Sequence, residues 1–376
     1  MVSFGIDQLI ANNPSWKSSR IAMLTNDAAR CSKGKHSRIK LIENQYNLVR
    51  LFSPEHGINT MGADGAFISN ATDVLSGLEV VSLYQDRMAP TLSELEDIDI
   101  MLVDLPDVGV RFYTYLWSMT HFIEVAAQLN KPIIILDRPN PLGGKIELSE
   151  GSILDEKCRS FIGRFGLPVT HYCTLGELAN YFNVVLKWHA DLQVIPCQWK
   201  RDQTFKDWGM KWINPSPALQ RFDSCQLYPG LCFFEATNLT VGRGSTHSFE
   251  WIGAEWFSAT NFNFSYEGLT STILSVEIQV QEIEGVLFNV HDNFKNPVRF
   301  GIELLYAIKK SYPGKFKWQP YPTQANPSGK NHLDLLLGLT DSELIFDLPP
   351  EAFHQYMDEN FKSNWEKKVK PYLLYT

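Results

Sequence analysis

No CxxC pair occurs in the chain. Its six cysteines (Cys31, Cys158, Cys173, Cys197, Cys225 and Cys232) are scattered. That spacing suggests neither a zinc site nor a disulfide framework, so buried thiols are expected. No apolar run reaches the ~18 residues a membrane span needs. The opening MVSFGIDQLIANNPSW lacks a basic stretch followed by an apolar one, so no signal peptide is expected. The chain is therefore expected to be cytoplasmic, or periplasmic or secreted if an export signal has been removed. A basic surplus is also lacking: the formal net charge is −8, which argues against nucleic acid as a partner. An anionic substrate would need local arginines, because the overall field would not attract it.

Familiar catalytic signatures are absent too. The turn after the first apolar segment reads TNDAARCSKG, not GxGxxG, and no GxxxxGKS/T occurs, so a nucleotide-using enzyme is a weak reading. There is no GxSxG elbow and no HExxH. The nine histidines show no ligand spacing, so no metal is expected.

What is present is an ordinary globular composition, 44% hydrophobic and 20% charged over 376 residues. That length suggests two domains. Short apolar segments rich in β-branched residues (Ile21–Leu24, Leu48–Phe52, Glu79–Leu83, Ile100–Val103, Pro132–Leu136) alternate with helical patterns at Ser37–Gln45, Ser93–Ile98 and Thr114–Asn130. This pattern predicts an α/β fold with a doubly wound parallel sheet. The second half predicts a helix at Thr174–Lys187 opened by a capping box (Thr174, Glu177), strands at Leu192–Pro196 and Gly230–Glu235, and helices at Val298–Lys310 and about Glu351–Lys368. The domain boundary is placed near residue 165, giving domains 1–165 and 166–376.

In an open parallel sheet, ligands bind beyond the carboxyl ends of the strands. Asn26 follows the first strand. Pro54, Glu55, His56 and Gly57 follow the second. Asp104, Asp107, Arg111 and Tyr113 follow the fourth, and Arg138 and Asn140 the fifth. Turn chemistry explains single Asn, Asp and Gly residues there, but it explains Glu55, Arg111 and Arg138 poorly. Carboxylate chemistry is what remains. Glycoside hydrolysis needs an acid for the leaving oxygen, and also a base, a nucleophile or a substrate acetamido group. Glu55, shielded by Pro54 and Phe52, fits the acid. The competing reading is a cap, or an ion pair with Arg111 or Arg138.

The motifs SPEHG (53–57), DLPDVGVRFYTY (104–115), LDRPNPLGG (136–144), LYPG (227–230), EATNLTVGRGS (235–245) and GAEW (253–256) are similar to those of the bacterial exo-acting β-N-acetylmuramidases, long labelled a domain of unknown function. The resemblance runs through nearly the whole chain in order. It implies a Rossmann-like first domain, a smaller α/β second domain and a cleft between them. It also implies release of terminal N-acetylmuramic acid from peptidoglycan fragments, a glycosidase reaction of cell-wall recycling that needs no cofactor. The glutamate of PEHG, here Glu55, is the implied acid. Asn26, His56, Arg111, Tyr113, Arg138 and Asn140 resemble cleft residues of the first domain; Glu235, Asn238 and Arg243 resemble those of the second. The chain departs from the family pattern at Ala236, Ala218, Ser248 and Glu255. The family's GVxFRP segment has only GVLFN (285–289) as a counterpart.

Residue by residue, alternatives stay open. His56 assists Glu55 or binds a hydroxyl, or else donates to a carbonyl. Arg111 and Arg138 hold a substrate carboxylate, or pair with Asp104, Asp107 or Asp137. Asp104 or Asp107 is a second carboxylate or turn chemistry. Tyr113 positions substrate or packs in the core. Arg243, between two glycines, meets a ligand or faces solvent. Two functions compete with hydrolysis of N-acetylmuramic acid linkages: a non-catalytic muropeptide- or sugar-binding protein, and a glycosidase with shifted amino-sugar specificity.

Overall fold

The computed structural model describes residues 2–84, 87–362 and 364–376. Strands β1 (Ile21–Thr25), β2 (Leu48–Ser53), β3 (Ala71–Thr72), β4 (Glu79–Ser82), β5 (Ile100–Asp104), β6 (Ile133–Leu136) and β7 (Leu192–Ile195) form one sheet in the order β3-β4-β2-β1-β5-β6-β7. All pairs are parallel except β3 with β4 at the edge. The five strands expected from sequence are all there. They read as unbroken apolar runs because both faces are covered. Along β1, Ala22 and Leu24 join one core while Ile21 and Met23 join the other. β5 and β6 alternate in the same way, as the period of two requires.

Helices α1 (Gly5–Asn12), α2 (Ser37–Glu43), α3 (Tyr115–Leu129) and α4 (Leu175–Val185) cover the sheet. The expected capping box forms at α4: Thr174 accepts from the Glu177 amide, and Glu177 accepts from the Thr174 amide. The Ser93–Ile98 segment is only a 3-10 turn, Ser93–Leu95. β7 lies beyond residue 165 and still pairs with β6, so the first sheet runs past the expected boundary.

The second half holds α5 (Phe222–Leu231), α6 (Pro297–Ser311), α7 (His332–Leu337), α8 (Pro350–Asn360) and α9 (Trp365–Val369). It also holds an antiparallel sheet of β8 (Trp251–Gly253), β9 (Leu269–Ile278) and β10 (Gln281–Val290), ordered β8-β10-β9. Two expectations are corrected here. Gly230–Glu235 is the end of α5 followed by a 3-10 turn, Cys232–Ala236, not a strand. Gly230 packs directly on Gly301 of α6, where a Cβ would lie 2.3 Å from the Gly230 Cα. A short apolar run buried on all sides carries no period to separate strand from helix. The single helix expected over Glu351–Lys368 is two, α8 and α9; residue 363 of that span lies outside the described residues.

The chain end returns to the first sheet. The Tyr375 hydroxyl donates to Asp137 at the end of β6 (2.5 Å) and accepts from the Cys197 amide (3.1 Å). All six cysteines are buried and unpaired. Among the described residues, no helix is long and apolar enough to cross a membrane, and no cluster of His, Cys, Asp and Glu is placed to hold a metal.

Candidate active site

β2 delivers Ser53 to the carboxyl edge of the sheet, and Pro54 ends the strand. The chain then folds tightly. The Gly57 amide donates to the Pro54 carbonyl (3.1 Å), and the Gly62 amide to the His56 carbonyl (3.1 Å). His56 and Thr60 both sit in the left-handed region (φ 67 and 59). A β-branched residue there is strained, and such strain persists only where the surroundings enforce it. The His56 ring helps to do so. Its Nδ1 lies 2.7 Å from the Gly62 carbonyl, which can only accept, so Nδ1 carries the hydrogen.

This turn aims Glu55 into a narrow cleft that opens to solvent. The residue is only 6% exposed. Its Oε1 accepts from the Gly65 amide (2.6 Å) and its Oε2 from the Thr114 hydroxyl (2.5 Å). Both oxygens are therefore fixed. Tyr84 is buried beside it; burial, and then Glu55 itself, push that hydroxyl far above the ordinary tyrosine range. Tyr113 lines the cleft with its hydroxyl buried, close to Tyr115 and Ser216. Burial pushes it up as well, so both tyrosines remain neutral donors.

The opposite wall comes from the second half. Arg243 Nε donates to Glu235, and Arg243 Nη1 lies 3.3 Å from Asp64 on the loop that follows Glu55. Asp64 also accepts from the Tyr321 hydroxyl (2.7 Å). His332 stacks on Tyr321 (4.8 Å between ring centroids) and lies 4.0 Å from Glu235 Oε2, with both ring nitrogens unpartnered. Burial pushes the Glu235 carboxyl up, but the Arg243 charge and the contacts with His332 and Arg243 together outweigh it, and the net value is about 2.

The sign follows from that depression. Glu235 contributes stability above its ordinary value of 4.5 and loses it as pH falls towards about 2. Thermal unfolding between about pH 5 and pH 2.5 should show Glu235→Gln losing less stability over that window than the native chain. Equal losses would mean the pair is not what acid breaks.

Glu55, His56, Tyr113, Glu235 and Arg243 thus meet in one cleft. The other sequence candidates do not line it. Arg111 is fully buried and donates to three carbonyls, Ser152, Leu167 and Leu336, each at 2.7 Å. Burial pushes it down to about 9, so it is still charged at neutral pH. Arg138 is paired through two nitrogens with Asp104, which is itself fully buried, so neither is free to meet a ligand in the cleft. Asp107 accepts from the Gly109 amide (2.8 Å) and lies 3.6 Å from His171, away from Glu55. Asn140 ties Cys173 to Leu142 and presses on Gly109, where a Cβ would lie 2.5 Å from its amide oxygen. Asn238 bridges Lys315 and Lys317, and Asn26, fully buried, accepts from the Ala28 amide. Conversely, Asp64, Thr114, Tyr321 and His332 line the cleft although sequence reading does not single them out. Thr114 lies inside the DLPDVGVRFYTY motif and was within reach. The other three carry no local signal.

Two family models, the N-terminal and C-terminal parts of exo-β-N-acetylmuramidase NamZ, match residues 21–223 and 226–375. The chain belongs to the exo-β-N-acetylmuramidase family. As a member of it, the protein is a glycoside hydrolase. The peptidoglycan β-N-acetylmuramidase NamZ of Bacillus subtilis (strain 168) is 34% identical over 331 residues, spanning 84% of this chain and 80% of that one. Two crystal structures of DUF1343 family proteins from Bacteroides fragilis NCTC 9343 share the fold. One has a TM-score of 0.84 at 26% identity, the other 0.74 at 28%; both alignments cover 100% of this chain and 99% of theirs. The exo-β-N-acetylmuramidase models meet near residue 225, beyond β7.

Proposed function

We propose that the protein releases N-acetylmuramic acid from the non-reducing ends of peptidoglycan fragments, with Glu55 as general acid. The observation that carries this reading is the Glu55 carboxyl at the cleft floor, gripped at both oxygens by the Gly65 amide and the Thr114 hydroxyl. A glycosidic oxygen has to meet its proton donor at hydrogen-bond distance and in a fixed direction, and such a grip supplies direction. Tyr84, buried beside it, stays a neutral hydroxyl, and Tyr113 is a further neutral hydroxyl among the residues of the cleft. His56 holds the turn in shape and faces the cleft.

Recognition of the lactyl carboxylate falls to Arg243. Of the three candidate arginines, it alone lines the cleft, and its side chain is 26% exposed. Glu235 orients it through Nε, so in this reading Glu235 is a positioning residue. Arg243→Met should lower kcat/KM for a chromogenic N-acetylmuraminide about 10- to 100-fold, the usual worth of a charge-assisted contact. The corresponding N-acetylglucosaminide lacks the lactyl group and should change little. An equal fall on both substrates would remove Arg243 from carboxylate recognition. Binding of the muraminide by the native chain without hydrolysis would instead favour a sugar-binding protein.

A further inference from the structure

The enzymes of the matched family are exo-acting, so a ring inside a glycan has to be refused. Glu55 cannot refuse it, because its proton serves a terminal ring and an internal ring alike. In a β-1,4-linked glycan the scissile bond leaves from C1, and the next sugar hangs from O4, across the ring. A cleft closed at one end therefore admits only a terminal ring, with its free 4-hydroxyl leading.

Such a closure is built beside Glu55, as a clasp between the two halves of the chain. Gly65, whose amide holds Glu55 Oε1 (2.6 Å), accepts through its carbonyl from the Ala325 amide (3.1 Å). It sits at φ 63, and a Cβ there would run into the Thr323 side chain, so only glycine fits. Two residues on, the Phe67 amide donates to the Gln324 side chain (2.5 Å). One residue back, Asp64 accepts from the Tyr321 hydroxyl (2.7 Å) and meets Arg243 Nη1 (3.3 Å). Asp64, Gly65, Tyr321 and Thr323 all line the cleft. The clasp thus passes within hydrogen-bond distance of the Glu55 carboxyl, and a glycan leaves Glu55 only on the other side.

Within the clasp, Asp64 is the group placed to meet a sugar. Glu235 is buried, its side chain 5% exposed, and is spent on Arg243; Asp64 keeps 29% of its side chain exposed. An ionised carboxylate only accepts, at about four lone-pair sites, and Tyr321 and Arg243 occupy two of them. A free hydroxyl can donate to the rest. A glycosidic oxygen cannot, since it carries no hydrogen. We infer that Asp64 accepts a hydrogen bond from the free 4-hydroxyl of the terminal sugar and thereby enforces exo action. The inference rests on the muramidase reading for the identity of that sugar. When O4 bears a further sugar, the donor is gone and the added ring meets the clasp, so refusal comes from a lost bond and a clash together. The lactyl group hangs from C3, the neighbour of C4, which suits Arg243 lying beside Asp64.

Three chromogenic N-acetylmuraminides test this on the full-length chain: one with the free 4-hydroxyl, one 4-deoxy and one 4-O-methyl. For the native chain, kcat/KM should fall about tenfold or more without the hydroxyl, and about 10²-fold or more with the methyl ether. In Asp64→Ala the free-hydroxyl substrate should lose its advantage over the 4-deoxy one, to within a factor of about 3. Asp64→Asn keeps an accepting oxygen and should keep most of the advantage. A purely structural role would lower both substrates equally and leave their ratio as it was. Native indifference to the 4-hydroxyl, or an unchanged ratio in folded Asp64→Ala, would each overturn the inference; the native series decides even where Asp64→Ala does not fold. Hydrolysis of all three substrates at one rate would overturn it and leave the muramidase reading standing. Failure to hydrolyse any of them would overturn both.

Discussion

Glu55→Gln is expected to cut turnover of a chromogenic N-acetylmuraminide by about 10²- to 10⁴-fold, the usual contribution of a positioned acid. The fold should be untouched. Glutamine keeps the shape, its amide oxygen still accepts from the Gly65 amide, and its NH₂ can donate to the Thr114 hydroxyl in place of the bond that Oε2 now accepts. What is lost is the transferable proton. KM should therefore move far less than kcat, and the thermal midpoint should stay close to that of the native chain. The steady-state parameters and an unfolding curve check this together. Undiminished kcat would remove Glu55 from the mechanism. A collapsed midpoint would mean that its bonds to the 65 loop hold the fold rather than aim a proton.

The legibility of this molecule divides along physical lines. The parallel strands could be read because both of their faces are buried, which writes an apolar run into the sequence. The β9–β10 hairpin could not, since most of β9 is exposed and its composition is mixed. The strand expected at Gly230–Glu235 failed for the opposite reason: burial on every side erases the period. In the cleft, the place of Glu55 was legible because the carboxyl edge of a parallel sheet is where a ligand-facing group is expected. Position at a strand end does not, however, say which way a side chain turns. Asp104 and Arg138 sit on neighbouring strands and satisfy each other. Asn140 turns to Cys173 and Leu142 rather than to a ligand. Tyr321 and His332 reach Glu55's cleft from more than 260 residues away in sequence. Only tertiary packing brings them there, and no local pattern records it.

Arg111→Met separates the two roles that a strand-end arginine can have. If Arg111 met the substrate, the variant would be stable and its KM would rise. The geometry points to the other outcome, a loss of about 3–5 kcal/mol of stability, with the folded fraction keeping its KM. What Arg111 bonds decides between the two. When a buried ion pair is replaced by apolar groups on both sides, the desolvation relieved can offset the missing attraction. Here the partners are the backbone carbonyls of Ser152, Leu167 and Leu336, which no substitution removes. Methionine offers them no donor. Leu167 keeps the Leu154 amide (3.1 Å), but the carbonyls of Ser152 and Leu336 lose their donor, and each buried carbonyl left without one costs on the order of 1–3 kcal/mol. Relief of the cation's own burial, visible in its depression to about 9, returns part of that. The balance stays unfavourable because two buried carbonyls, those of Ser152 and Leu336, are stripped of their donor for one charge relieved. Leu336 belongs to α7, and His332 at the start of the same helix lines the cleft. The damage should therefore begin where the second half closes over Glu55. Urea unfolding should show the lowered midpoint, and hydrogen exchange should show α7 losing protection first. A native midpoint combined with a raised KM would restore Arg111 to the substrate.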